Sequence, residues 1–251
     1  MKIIVPFKVV PDDQDIQVTE NRSLDFSKAS QVVSAYDLNA IEVAARLAAE
    51  EEGSSVVAIT VGSTAINDSK LKKNVLARGV DELIMVADDA MAQLDSHATA
   101  QALAASLAGL EFDLIICGDG SADNYAQQVD VQLAAALGFP SVNGVAKIVV
   151  KGESVEVERT LEDVIEIVEV PLPAVVSVTP DAALPRIPGM KDILAAGKKP
   201  MEVSGAEGSF TNSTEVISTV APEEVDRKLE VVDASADGAI EQFAAALKAA
   251  L

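Results

Sequence analysis

The chain is poor in the residues on which most catalysis and most covalent or metal frameworks depend. It has one cysteine, Cys117, which excludes a disulfide framework and a thiolate metal cluster and fits a reducing compartment. At the end of an apolar run, Cys117 reads as a small buried hydrophobe and not as a nucleophile. The one histidine, His97, stands in Asp95-Ser96-His97 at an expected helix start, where Asp95 or Ser96 is the cap. Tryptophan is absent and aromatic residues make up 3% of the chain, so Ala, Val, Leu and Ile must build the core. Positive charge is scarce too: 19 Lys and Arg face 40 Asp and Glu, a formal net charge of -21 over 251 residues. Such a surface repels nucleic acid and anionic membranes at long range, and leaves cationic proteins and small ligands open. No apolar run approaches the roughly 20 residues of a membrane span. Met1-Lys2-Ile3-Ile4-Val5 enters a strand at once, leaving no room for a signal peptide, so a cytoplasmic location without membrane insertion is expected. Neither a GxxxxGKS/T loop nor a GxGxxG after a strand occurs. Asp12, Asp13 and Asp15 read as a solvated acidic loop and not as a cation site.

What the chain does have is alternation. Ile3 to Phe7, Val56 to Val61, Leu83 to Val86 and Leu114 to Cys117 are apolar runs with few polar residues, as buried parallel strands require. Helical patterns separate them: Leu38 to Glu51 with Asp37 as N-cap, Asn67 to Arg78, Ala98 to Leu107, and Gln127 to Leu137 stopped by Gly138 and Pro140. Strands alternating with helices predict βαβ units and a doubly wound, mostly parallel sheet. After Pro140, Val145 to Val150 and Ser154 to Arg159 flank Lys151-Gly152-Glu153 as an antiparallel hairpin, with Val164 to Val170 as a third strand and Ala174 to Val178 central again. The pattern weakens beyond Pro200. Residues 201 to 225 read as an extended arm, followed by a strand over 228 to 232. A closing helix over 235 to 251 carries Ile240, Phe243, Leu247 and Leu251 on one face. The expected division is a nucleotide-binding α/β domain over 1–200 and a C-terminal arm and helix over 201–251 that reaches for a partner.

The candidate site follows from one loop. Gly118-Asp119-Gly120-Ser121-Ala122-Asp123-Asn124-Tyr125-Ala126-Gln127-Gln128 leaves a buried strand and enters a helix. Small residues and free N–H groups then lie at a strand's C-terminal end and a helix N-terminus, where open α/β sheets bind phosphates. Val61-Gly62-Ser63-Thr64 is a second turn at the same edge, and Pro6-Phe7-Lys8 supplies backbone groups from a third.

These residues resemble blocks of the β subunit of electron transfer flavoproteins, in order and over nearly the whole chain. Val5-Pro6-Phe7-Lys8-Val9-Val10-Pro11-Asp12 is similar to the family's opening strand and turn, and Leu76-Ala77-Arg78-Gly79-Val80-Asp81 to its "LAMGAD" block. Gly118 to Val129 resembles its nucleotide loop. Pro185-Arg186 with Met190-Lys191-Asp192-Ile193-Leu194 and Lys198-Lys199-Pro200 resembles its "PRYxxLPxIMKAxKKP" stretch. Tyr36-Asp37-Leu38-Asn39-Ala40-Ile41-Glu42 and Ile187-Pro188-Gly189 are most like the FixA branch.

The resemblance implies an adenine-nucleotide α-hydrolase-like fold and a heterodimer with a FixB-like α subunit. FAD would be shared with α, and AMP or a second FAD would be bound by this chain. Carried over position by position, the cofactor contacts are Pro6, Ser34, Ala35, Tyr36, Asp37 and Val61. They continue through the loop as Gly118, Asp119, Gly120, Ser121, Asp123, Asn124, Tyr125, Gln127, Gln128 and Val129. Tyr36 would face the α-bound flavin ring, and Val178 to Asp192 would dock acyl-CoA dehydrogenase-type or quinone-reductase redox partners. Three positions depart from the family pattern: Tyr125 and Asn124 stand where acidic residues are usual, and Ala182 stands where the docking loop carries a leucine. The expected function is electron carriage by positioning cofactors, with no catalytic residue. The alternative is a stand-alone adenine-nucleotide-binding regulatory protein, for which a glycine-rich "GxxGx9G" stretch is missing.

Overall fold

A computed structural model describes residues 1–225 and 229–250 of the chain. The first half runs β1 (Lys2–Pro6), β2 (Val9–Pro11), β3 (Gln17–Val18), β4 (Leu24–Asp25), β5 (Gln31–Val33), α1 (Ala35–Glu50), β6 (Ser55–Gly62), α2 (Ser69–Leu76) and β7 (Glu82–Ala87). It continues with α3 (Ser96–Ser106), β8 (Leu114–Gly118), α4 (Val129–Leu137), β9 (Ser141–Lys151), β10 (Ser154–Thr160) and β11 (Ile165–Pro171). The chain ends with β12 (Ala174–Val178), α5 (Met190–Ala196), β13 (Met201–Ser204) and α6 (Ala239–Ala250). Nine strands form one sheet in the order β11-β10-β9-β12-β8-β1-β6-β7-β13. Only β10 runs antiparallel to its neighbours. The expected α/β class, doubly wound sheet and antiparallel insertion are all present. Two small sheets, β2 with β5 and β3 with β4, lie outside it. Among the described residues no helix is long and apolar enough to cross a membrane.

The apolar runs form strands because both faces of the sheet are covered. Ile3 and Val5 on β1 point into a core shared with Ile41 of α1 and Val75 of α2. Ile4, one residue out of phase, points into a second core with Leu103 of α3 and Leu133 of α4. From β1 the chain winds through β6 and β7, then crosses to β8 on the other side of β1. The strand order therefore reverses between β1 and β8, and the crevice at such a switch point is where open α/β sheets take ligands.

Several local expectations are corrected. Helix α1 begins three residues earlier than its apolar spacing indicates, with Ser34 at the N-cap position, and Asp37 lies inside the first turn. Asp37 is buried because its carboxylate turns inward to another loop, as described below. Met201–Ser204 is no arm. It pairs in parallel with β7 as the sheet's edge strand. Its residues are all exposed, so the main-chain ladder holds it, and the alternation of Met201-Glu202-Val203-Ser204 is too short to announce it. The chain divides into one compact unit of Met1–Gln17 with Asp25–Ser218 and a second of Val18–Leu24 with Thr219–Leu251, so residue 200 falls within the first. In the second unit Ser23 bridges Val220, Arg22 pairs with Glu223 at 3.2 Å, and α6 exposes Ile240, Phe243 and Leu247. Of the strand expected over 228 to 232, residues 229–232 are irregular and Lys228 lies outside the described residues, as does Leu251 of the closing helix.

Candidate functional site

A cleft of about 1230 Å³ opens at the C-terminal ends of β1, β6 and β8, at the switch point. Pro6, Asp37, Val61, Gly118, Asp119, Gly120, Ser121, Asp123, Asn124, Gln127, Gln128 and Val129 line it, which brings together most of the positions picked out from sequence. The other four stand beside it. Ser34 is fully buried and its Oγ accepts the Ala122 N–H at 3.3 Å, tying the loop after β8 to the start of α1. Ala35 is exposed in the first turn of that helix. The rings of Tyr36 and Tyr125 stack with centroids 4.9 Å apart at a 40° tilt.

The loop takes its shape from close backbone approach. A Cβ on Gly118 would sit 2.6 Å from Asp37 Oδ1 and 2.8 Å from the Tyr36 carbonyl carbon, so only glycine lets β8 abut α1. The buried Asp37 carboxylate accepts the Lys8 N–H at 2.7 Å and lies against Gly118. It thus joins the turn after β1 to the turn after β8. Further along, Tyr125 and Gln127 adopt left-handed backbone, with φ of 44° and 54°. A single carboxylate, Asp119, accepts the Tyr125 hydroxyl at 2.6 Å and the Gln127 amide at 3.2 Å. Strain of this kind persists only where surrounding bonds over-determine it, and it clusters at ligand sites.

Helix ends complete the arrangement. Asp68 and Asp95 cap α2 and α3 with their own side chains. Ser34 and Gln128, at the starts of α1 and α4, make no such cap bond. The two helices that begin at the switch point therefore present first-turn N–H groups uncapped by their N-cap side chains, where the helix dipole favours an anion. Ser34, a residue type well suited to capping, spends its hydroxyl on the loop.

Burial and hydrogen bonding together govern the titration of the site. Burial pushes Asp37 up to about 7, against the opposing hydrogen bond and charge of Lys8. It pushes the Cys117 thiol up as well, so no thiolate forms near neutrality. For Asp123 burial is outweighed by bonds from Lys8, Ser121 and Asn124, and the carboxyl stays below its usual range. The Asp119 bond drives Tyr125 up to about 12. The Ala98 N–H, followed by those of Thr214 and Ser213, draws Asp95 down to about 2.

One wall of the cleft escaped the sequence reading. Asn212 to Val216 line it, although that stretch showed no pattern. Asp95 holds them: beyond capping α3, its carboxylate accepts the Ser213 N–H at 2.6 Å and the Thr214 N–H at 2.9 Å. Asn212 reciprocates, accepting the Asp95 N–H and donating to the Gln93 carbonyl. The cap was legible at Asp95; its second role was not. Behind the cleft, the buried Glu42 of α1 binds Arg186 at 2.6 Å and Arg46 at 2.7 Å, and Asn39 donates to the Ala183 carbonyl at 2.7 Å. The segment after β12 is thereby pinned to α1, with Leu184, Ile187, Met190 and Leu194 left exposed along it.

The electron transfer flavoprotein domain model matches residues 23–207 of this chain, most of its length. The chain belongs to the electron transfer flavoprotein family. Proteins of this family generally bind flavin, and membership gives the chain a role in electron transfer with redox partners.

Proposed function

We propose that the chain is the β subunit of a heterodimeric electron transfer flavoprotein of the FixA type, and that its cleft holds the adenosine and phosphate of AMP or of a second FAD. The observation that carries this is the switch-point cleft itself. Gly118 lets the loop after β8 close against the start of α1, and the two helices opening there lack side-chain caps, which suits a phosphate. Gly118 to Val129 hold the nucleotide, with Asp37 and Ser34 fixing the loop around it. Tyr36, stacked on Tyr125 beside the cleft, flanks the flavin of the FAD shared with the α subunit.

FAD supplies the redox chemistry when bound; the protein sets distance, orientation and electrostatics. No side chain of this subunit makes or breaks bonds. The apolar patch from Leu184 to Leu194 receives acyl-CoA dehydrogenase-type or quinone-reductase partners, with Leu184 serving where Ala182 is too short and partly buried. Co-expression with a FixB-like α subunit, followed by denaturation and chromatographic counting of released FAD and AMP, tests the reading. One FAD plus one AMP, or two FAD, per heterodimer is the expected result. A heterodimer carrying neither AMP nor a second FAD would overturn nucleotide binding by this chain.

A further inference from the structure

The charged residues lining the cleft that is read as a phosphate site are almost all acidic. Asp37, Asp95, Asp119, Asp123, Asp130 and Glu215 border it, and among the described residues Lys8 is the one cationic side chain that does. Most of these carboxylates are consumed internally. Asp37 and Asp95 hold backbone N–H groups, Asp119 holds Tyr125 and Gln127, and Asp130 accepts the Ser177 hydroxyl at 2.5 Å in the buried interior. Lys8 is placed with unusual firmness for a surface lysine. Its N–H is bound by Asp37, its carbonyl accepts the Ser34 N–H at 2.9 Å, and its Nζ donates to Asp123 Oδ2 at 2.6 Å. The side chain so spans from the turn after β1 to the loop after β8. An ammonium has three donors and one goes to Asp123, which leaves two for a ligand.

We infer that the Lys8 ammonium is the side-chain anchor for the phosphate of the bound nucleotide, and that Asp123 both positions it and competes for it. The inference rests on the adenine-nucleotide reading above and adds the group that lets an anion enter an acidic cleft. A phosphate among these acidic side chains needs a nearby cation to offset the repulsion, and charge-assisted bonds are the strong ones. Asp123 is 25% exposed at its side chain and Lys8 44%, so the pair is open enough for a phosphate to share the ammonium. The arrangement makes the two residues opposite in effect. Removing Lys8 weakens phosphate binding. Removing the charge of Asp123 frees the ammonium and strengthens it.

The test is calorimetric titration of the nucleotide-stripped full chain with AMP and with adenosine, for wild type, Lys8→Met, Lys8→Arg and Asp123→Asn. Lys8→Met should weaken AMP about tenfold to a hundredfold and leave adenosine within about twofold, since one charged hydrogen bond is at stake. Lys8→Arg should restore most of the AMP affinity. Asp123→Asn should raise the ratio of AMP to adenosine affinity, and added salt should weaken AMP binding to wild type more than to Lys8→Met. Equal losses of AMP and adenosine in Lys8→Met would assign Lys8 a purely structural role and overturn the inference while leaving the nucleotide site intact. Unchanged AMP affinity would overturn it outright. If wild type bound neither AMP nor adenosine, the adenine-nucleotide reading would fall, and the inference with it.

Discussion

Two glycines in the nucleotide loop face added methyl groups with similar clash distances, and the structure assigns them different fates. At Gly118 a Cβ would lie 2.6 Å from Asp37 Oδ1, 2.8 Å from the Tyr36 carbonyl carbon and 2.9 Å from its oxygen. Two of these are backbone atoms of α1, a helix packed against β1, β6 and β8. They cannot move without shifting the helix, and Asp37 cannot move without releasing the Lys8 N–H. Overpacking of this kind costs about 1–3 kcal/mol, and the upper end applies where backbone must give. For a chain of this size about 3 kcal/mol lowers Tm by roughly 6–12 °C. At Gly120 a Cβ would run into the Tyr125 ring, but that ring is 42% exposed and has room to swing outward. Gly120→Ala should therefore cost less than Gly118→Ala, about 1–2 kcal/mol, since the exposed ring can move but gives up the Tyr36 stack and the Asp119 bond. Thermal unfolding followed by circular dichroism separates the two variants. Equal Tm values for Gly118→Ala and Gly120→Ala, or a Gly118→Ala protein as stable as wild type, would refute the claim that backbone contact at Gly118 fixes the loop.

The raised pKa of Asp37 makes stability depend on pH. A folded-state value of about 7 lies above that of the unfolded chain, so the native state keeps a proton that the unfolded state loses, and stability falls as pH rises from about 4 to about 7. The loss is on the order of a few kcal/mol; urea midpoints across that range should show a flatter profile for Asp37→Asn, and parallel profiles would contradict the assignment. Tyr36→Leu keeps apolar bulk without the ring: weaker FAD retention or a modest shift in flavin potential is expected, with electron transfer slowed but not abolished. Loss of activity at normal FAD content, potential and heterodimer yield would give the tyrosine a direct chemical role. Truncation after Ser218 keeps β13 and the Asp95 wall, so nucleotide affinity should survive while co-purification with the α subunit is lost. Truncation after Pro200 also removes the edge strand and Asn212 to Val216, and should weaken the nucleotide as well.

The parallel strands were readable because a strand covered on both faces has no polar phase: Ala174–Val178 is buried at every position. The loop after β8 was readable as small residues between a buried strand and a helix. What sequence withheld was pairing at long range. An aspartate beside a helix start looks like a cap whether it bonds its own helix or turns inward, and Asp37 turns to a backbone N–H 29 residues away. Asp95 caps as expected, yet its partners at 213 and 214 lie 118 and 119 residues further on. Net charge is silent about the cleft in a related way. A charge of -21 describes how the surface meets other macromolecules. Inside the cleft most of the carboxylates are bound to N–H and O–H groups of the scaffold, and the balance an incoming anion meets turns on Lys8, whose sequence neighbours Phe7 and Val9 give no hint of it.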